Sequence, residues 1–380
     1  MSTYRRAPVV FVRGAGSWLY DDAGKAYLDC LCGVSVCSVG HANPRVARAV
    51  SEQLGTLVHV SNLFYTLPQV ELAERLVALS GLDRVFFANC GATANETAIK
   101  LARRWGQQGE RRRHGVISLD GSFHGRTLAT LAATGQPEKQ ATFQPLPPGF
   151  SQVAPEDLEA LAAAIEPTTV AVLLETVQGE GGVRPLGERY LQGVRRLCDE
   201  RELLLIVDDV QAGTGRCGRW FSWQDLGFVP DIATTAKALG GGLPIGACLA
   251  RGAVAAAFRP GDHATTFGGG PAVCRGALAV IEEIEQRALL ANCAARGAEL
   301  RAALERVPGV SAVRGRGLLL GAVLERPCAE ALVARALELG LVVNNVRPEV
   351  VRFAPPLSIT VEEVAEAARR FAGALAAVAS

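Results

Sequence analysis

Lysine, methionine, long apolar runs and an excess of charge of either sign are what this chain has least of. Among 380 residues only Lys25, Lys100, Lys139 and Lys237 are lysines, and Met1 is the one methionine. The 39 basic residues are therefore nearly all arginine, a bias of composition from which no function follows. Basic and acidic residues nearly cancel, to +1. No broad field exists to attract nucleic acid or an anionic membrane surface, so the partner expected is a small molecule. No stretch reaches the ~20 consecutive apolar residues that span a bilayer. The start, Met1-Ser2-Thr3-Tyr4-Arg5-Arg6, has no apolar leader behind it. A soluble, cytoplasmic protein is expected.

Paired cysteine spacing is missing too. Ten cysteines are scattered through mostly apolar stretches, where a free thiol behaves as a small hydrophobe, and a reducing compartment is the simpler reading. The tightest group, Cys30, Cys32 and Cys37 with His41, lacks the Cys-x-x-Cys spacing of structural zinc, so no metal site is expected. Internal repeats and low-complexity linkers are absent as well.

What the chain does have is length and alternation. Its 380 residues, 49% hydrophobic, exceed the roughly 250–300 that one core accommodates, so a large unit and a smaller one are expected. Between about residues 80 and 250, short apolar runs alternate with helical patterns: Arg84–Phe87, Gly115–Leu119, Val170–Leu174 and Leu203–Val207. Runs apolar on both faces are the mark of strands in a mainly parallel sheet covered by helices. Asn89, Glu175 and Asp208 then fall at the carboxyl edge of that sheet, either as ligand groups or as turn and cap residues. Beyond Gly270, one long helical pattern to about Val307, strands near 341–353 and a terminal helix from about 360 read as a smaller α/β unit. The first forty residues, with a hairpin turn over Trp18–Lys25, join that unit or reach a partner subunit. The division expected is 1–45, 46–270 and 271–380.

Lys237 stands out against that frame. It sits in Thr234-Thr235-Ala236-Lys237-Ala238-Leu239-Gly240-Gly241-Gly242, about thirty positions after Asp208-Asp209. An amine paired with a carboxylate suits pyridoxal phosphate, the amine holding the cofactor as a Schiff base and the carboxylate facing the pyridinium nitrogen. Phe87–Glu96 carries a strand into a helix through small residues, leaving backbone N–H groups and a positive helix end for an anion, or else an ordinary cap with Thr93 and Glu96 in box spacing. Phe123-His124-Gly125-Arg126 offers an aromatic ring to stack and a guanidinium for a carboxylate. A rival signal, Gly213-Thr214-Gly215-Arg216-Cys217-Gly218, matches the dinucleotide fingerprint. It follows its strand only after five residues and precedes no helical period, so a nicotinamide cofactor is not expected.

Together these segments resemble the class III, or ornithine-type, aminotransferases over nearly the whole chain. Besides those quoted, Gly40-His41-Ala42-Asn43-Pro44, Glu175–Gly182, Asp208–Gly213, Thr265–Gly269 and Val351–Pro356 stand in the family's order and spacing. The resemblance implies the fold-type I α/β architecture, a large domain with a mainly parallel sheet and a smaller domain built from both chain ends. It implies pyridoxal 5'-phosphate as cofactor and a homodimer with shared active sites. Lys237 would carry the cofactor and move the proton, with Asp208 on the ring nitrogen, Gln211 at the ring oxygen and Phe123 stacked on the ring. Cys90, Gly91 and Ala92 would take the phosphate, joined by Thr266 of the other subunit. Arg352 and Arg126 would bind the two carboxylates of 2-oxoglutarate, and Glu180 would pair with Arg352 in the half-reaction where an ω-amine donor leaves that arginine without an anion.

N-acetylornithine is the amino donor the resemblance points to, with succinylornithine, ornithine, 4-aminobutyrate or an acyl-lysine as alternatives; a non-catalytic relative is the distant one. The chain departs from the usual family residues at Cys90 (Ser), Thr93 (Glu), Asp209 (Glu), Phe267 (Tyr) and Gly270 (Asn). A thiol donates poorly to phosphate, so weaker cofactor retention is expected. Val34, where ornithine-specific members carry tyrosine, is expected to suit an acylated donor.

Overall fold

The computed structural model describes residues 1–108 and 112–379; Ser380, the last residue of the unit expected over 271–380, lies outside them. A seven-stranded sheet runs in the order Arg84–Ala88, Gly246–Ala250, Ile232–Thr235, Leu204–Asp208, Thr169–Leu174, Gly115–Leu119, Phe150–Val153. Gly246–Ala250 is antiparallel to both neighbours; the other pairings are parallel. The fold is thus the mainly parallel α/β architecture of fold-type I. Ile206 lies opposite Leu173 on one side and Ile232 on the other, and all three are fully buried. Such strands read as unbroken apolar runs because helices cover both faces. Polar residues can enter only where a strand stops, which is why Asn89, Glu175 and Asp208 cluster at one edge.

The helix Gly91–Gly106 packs on that sheet. Ala94, Ala98, Leu101 and Ala102 form its buried face at helical spacing, and Asn95 and Thr97 are polar residues buried with them.

A second core joins Leu28, Cys30 and Val39 to Leu320, Phe353 and Phe371. Around it stand two four-stranded sheets, Phe11–Ala15, Trp18–Asp21, Ala26–Asp29, Leu341–Val342 and Val310–Arg316, Leu319–Leu324, Val350–Phe353, Asn344–Arg347. The hairpin expected near Asp21 is closed by its carboxylate, which accepts from the N–H groups of Ala23 and Lys25 at 3.1 and 2.8 Å.

The helix expected from Gly270 to Val307 is two helices, Pro271–Gln286 and Leu289–Glu305. Ala288, at φ 49°, turns the chain between them with neither glycine nor proline to announce it. The reason is tertiary. The first helix lies between the cores, with Cys274, Ala277 and Ile281 in that of the large sheet and Val280 and Ile284 in the second, and the turn sends the chain on into the second core alone through Leu289, Cys293 and Leu300. Among the described residues no helix is long and apolar enough to cross a membrane.

Candidate active site

The carboxyl ends of the strands open into a cleft of about 450 Å³. Asn89, Glu175, Asp208 and Lys237 line it, together with Cys90–Ala92, Phe123, Arg126, Glu180 and Gln211. Ten of the eleven residues singled out from sequence as catalytic, cofactor-binding or substrate-binding lie here or, in the case of Arg352, pair with a residue that does; Thr266 is the exception.

Asp208 ends its strand with only 4% of its surface exposed. Its Oδ2 accepts from His124 Nδ1 and from Asn95 Nδ2, each at 2.7 Å, and its Oδ1 from the N–H of Val210 at 3.1 Å. A carboxylate only accepts, so the His124 proton sits on Nδ1. Asn95 is oriented in turn by Thr234, whose hydroxyl donates to its Oδ1 at 2.7 Å. Neither His124 nor Asn95 was assigned a role from sequence. Both were in view, but contacts spanning 84 and 113 residues leave no local pattern.

Lys237 follows the strand Ile232–Thr235 at φ 42°, a left-handed conformation unusual for a residue with a Cβ. Burial, then the nearby Arg352 charge, lowers its pKa from 10.5 to about 8, so the neutral amine is accessible near physiological pH. Glu175 caps the neighbouring loops, its Oε2 accepting from the N–H of Phe123 at 3.0 Å. Burial and the adjacent Asp208 push its carboxyl pKa well up.

Arg352, 1% exposed, donates to Glu180 Oε1 at 2.6 Å, to Gln211 Oε1 at 3.0 Å and to Asn344 Oδ1 at 3.2 Å. Burial raises the Glu180 pKa, but Arg352 overrides it and the net direction is down. Arg126 is the opposite case. It is exposed, lies 5.6 Å over the Phe123 ring, and has no carboxylate partner among the described residues.

Cys90 is the N-cap of the helix Gly91–Gly106. The expected box of Thr93 with Glu96 is shifted by one turn. Thr93 Oγ1 accepts from the N–H groups of Cys90 and Asn89, each at 3.0 Å, while Glu96 accepts from the Thr127 hydroxyl. A helix starting at Gly91 puts Thr93, not Glu96, in reach of the cap backbone. The N–H groups of Gly91 and Ala92 bond to nothing within the described residues. A Cβ on Gly91 would sit 2.6 Å from Val210 Cγ1, so this backbone approaches the cleft wall as only glycine allows.

One placement differs from expectation. Val36, not Val34, lines the cleft; the backbone is left-handed at all four residues of the kinked turn Cys32–Ser35, which decides which valine faces in. Thr266 is exposed and absent from its own chain's cleft, and instead borders a groove with Asn62, Tyr65 and Gln69. Asp209 lies fully buried behind the site. It accepts from the N–H of Ser222 at 3.0 Å, and burial pushes its carboxyl up to about 7. Gly213–Gly218 forms turns with no helix following. His41, the outlier of the cysteine group, pairs with Asp29 Oδ2 at 2.7 Å.

The residues fit pyridoxal phosphate on four structural counts. The cleft holds a lysine of depressed pKa and a buried carboxylate fixed by a histidine and an asparagine. It also has unpaired N–H groups at a helix start and apolar walls from Phe123 and Val210. The sequence profile of the class-III aminotransferases matches residues 2–375. Acetylornithine aminotransferase 1 of Bordetella bronchiseptica is 51% identical over 373 residues, which is 96% of this chain and 94% of the relative. The N-acetylornithine aminotransferase of Stenotrophomonas maltophilia has 38% identity and a TM-score of 0.87, covering 100% of this chain and 98% of its own. The ornithine aminotransferase of Toxoplasma gondii, in a structure showing pyridoxal phosphate at partial occupancy in its active site, has 33% identity and a TM-score of 0.95, covering 100% and 92%.

Proposed function

Because the chain belongs to the class III aminotransferases, enzymes that use pyridoxal phosphate, we propose that it transfers the δ-amine of N-acetylornithine to 2-oxoglutarate, giving N-acetylglutamate semialdehyde and glutamate. The observation that carries this reading is the unequal state of the two arginines. Arg352 is neutralised by Glu180 at 2.6 Å, whereas Arg126 stands open at the cleft. An ω-amine donor with a single carboxylate matches that state: its carboxylate goes to Arg126 and its far end needs no anion partner. A five-carbon dicarboxylate needs both arginines, so Glu180 must let go of Arg352 in the second half-reaction. A buried guanidinium left without an anion is costly, so Glu180 serves as its partner whenever the substrate does not.

When bound, the cofactor supplies the electron sink that stabilises charge at the carbon bearing the amine. Asp208, held by His124 and Asn95, would accept a hydrogen bond from the ring nitrogen and favour its protonated form. Phe123 and Val210 would give the ring apolar surroundings, and Gln211 would serve its ring oxygen. The N–H groups of Gly91 and Ala92 would hold the phosphate, with Cys90 contributing only a weakly polar thiol. Lys237 would hold the cofactor and, as a neutral amine, would take up and return the proton of the substrate carbon. Val36 presents an apolar surface suited to an acetylated amine better than to a free ammonium.

Steady-state kinetics with 2-oxoglutarate as acceptor test the donor. kcat/KM for N-acetylornithine is expected to exceed that for ornithine and 4-aminobutyrate by at least about tenfold, the difference one mismatched polar group makes in such a pocket. Equal activity on 4-aminobutyrate removes the assignment.

The functional unit in this reading is a homodimer in the cytoplasm, with 46–270 as cofactor domain and 1–45 joined to 271–380 as the smaller one. Leu63, Phe64 and Tyr65 are 85, 66 and 92% exposed and Phe267 is 70% exposed. So much clustered apolar surface asks for a covering partner, and Thr266 beside it would then reach the other subunit's phosphate. Charge at Leu63 and Phe64 (L63D/F64D) is expected to halve the sedimenting mass and release cofactor; a wild-type protein that already sediments as a monomer at micromolar concentration refutes the shared site.

A further inference from the structure

Lys139 is one of the chain's four lysines and the one besides Lys237 that stands near the cleft. It comes from the short helix Pro137–Gln140 and brings its Nζ to 6.0 Å from the centroid of the Phe123 ring, the ring over which Arg126 lies at 5.6 Å. The approach is built rather than incidental. Lys139 donates to Gln136 Oε1. Gln136, 1% exposed, donates in turn to the carbonyls of Ser122 at 3.0 Å and Gly121 at 3.4 Å. The ammonium is thereby tied to the loop that carries Phe123 and Arg126.

Arg347 reaches the same loop from the strand Asn344–Arg347: a Cβ on Gly121 would lie 3.8 Å from its Nη2, and one on Gly182 would lie 3.3 Å from its Cγ. Arg347, like Arg126, makes no ion pair among the described residues. Of the carboxylates nearby, one is committed and the other is a loose, exposed partner of Lys139 itself. Glu180 is bound to Arg352, and Glu138, 62% exposed, stands 3.9 Å from Lys139. Half burial lowers the Lys139 pKa; Glu138 opposes this, and Arg126 and Arg347 add to it. An incoming anion relieves that repulsion.

We infer that Lys139 is a specificity-determining residue: beside Arg126 it shares the carboxylate of whichever substrate is bound, and Arg347 completes a cationic mouth that selects for an anion on that side. The inference rests on the reading of Arg126 as a carboxylate site. In that reading an anion occupies the Arg126 side in both half-reactions, so a second cation there is useful throughout the cycle, whereas at Arg352 it would oppose the exchange with Glu180.

Glutarate, a dicarboxylate that cannot react, probes the site directly in the holoenzyme. By titration calorimetry, K139Q is expected to bind it about 5–20-fold more weakly, the range for one charge-assisted hydrogen bond at a half-buried site. KM for N-acetylornithine and for 2-oxoglutarate should rise by a similar factor with kcat within about twofold, since the contact is equal in ground and transition states. The salt dependence of KM should flatten, and K139R should restore most of the affinity. The proposal is overturned if K139Q binds glutarate as wild type does, or if K139R is as weak as K139Q, which would make Lys139 a tie to Gln136 and nothing more. Lys139-dependent glutarate binding in an enzyme that does not turn over N-acetylornithine would support this inference and refute the donor assignment. Normal turnover with Lys139-independent binding does the reverse.

Discussion

Replacing Lys237 with alanine is expected to lower turnover by about 10⁴-fold, the upper range for removing a positioned acid–base group, and to abolish covalent retention of the cofactor. Borohydride reduction of wild-type protein with pyridoxal phosphate, followed by peptide mass mapping, should place the label on Lys237 alone. Label on Lys25, Lys100 or Lys139, or none, overturns the assignment. The pH dependence carries the same argument further. Only a neutral amine attacks a carbonyl, and the Lys237 pKa is lowered from 10.5 to about 8. Attachment of pyridoxal phosphate to cofactor-free protein should therefore accelerate as pH rises through about 8 and level off above it. The stability linkage has the matching sign. Between about 8 and 10.5 the unfolded chain holds a proton on this lysine that the folded chain has released. In that window the group makes the cofactor-free protein more stable as pH rises, and below it the folded state bears the cost of a buried charge. An attachment rate that keeps climbing to pH 10.5 would show that burial does not depress this amine.

The sheet was legible because its strands are buried on both faces and so appear as unbroken apolar runs, as at Thr169–Leu174, where every residue is buried. The edge residues were legible for the same reason, since polar groups stand out where such runs stop. The break at Ala288 was not, because helix periodicity continues through it and what changes there is tertiary: the helix before it packs into both cores, the helix after it into one. Within the site, Lys237 and Asp208 could be read as a pair from rarity and spacing. What orients Asp208 could not. His124 and Asn95 converge on one oxygen from a loop and a helix far apart in sequence, and Asn95 looks like any polar residue inside a helix until the fold buries it. The placing of Val36 rather than Val34 in the cleft depends on four consecutive left-handed residues, Cys32 to Ser35, of which only Gly33 signals such a backbone in sequence. The position of the first helical residue likewise decided between Thr93 and Glu96 as the capping partner.

Asp208→Asn is expected to lower kcat/KM by roughly 10²–10³-fold, the effect of losing one preorganised charged contact in a water-excluded site. The change is nearly isosteric, so the fold should survive it. What it removes is the charge that holds a proton on the ring nitrogen, and with it half the accepting capacity of the side chain. The native Oδ2 receives two donors, His124 Nδ1 and Asn95 Nδ2, at 2.7 Å each, and Oδ1 receives the Val210 N–H at 3.1 Å. An amide can offer its oxygen to only one of these sides. If the oxygen stays with His124 and Asn95, the amide nitrogen faces the Val210 N–H; if it flips, two donors face the NH₂. Either arrangement leaves a buried donor unmatched and disturbs the loop that carries Gln211. His124→Gln separates the two effects, because it keeps the Asp208 charge while loosening its orientation, and a loss of only about tenfold is expected. The absorbance of the bound cofactor across pH provides the second readout. D208N should bring the loss of the ring-nitrogen proton down into the accessible range, while H124Q shifts it little. A D208N enzyme with kcat/KM within about threefold of wild type would mean that the ring nitrogen is not held by this carboxylate.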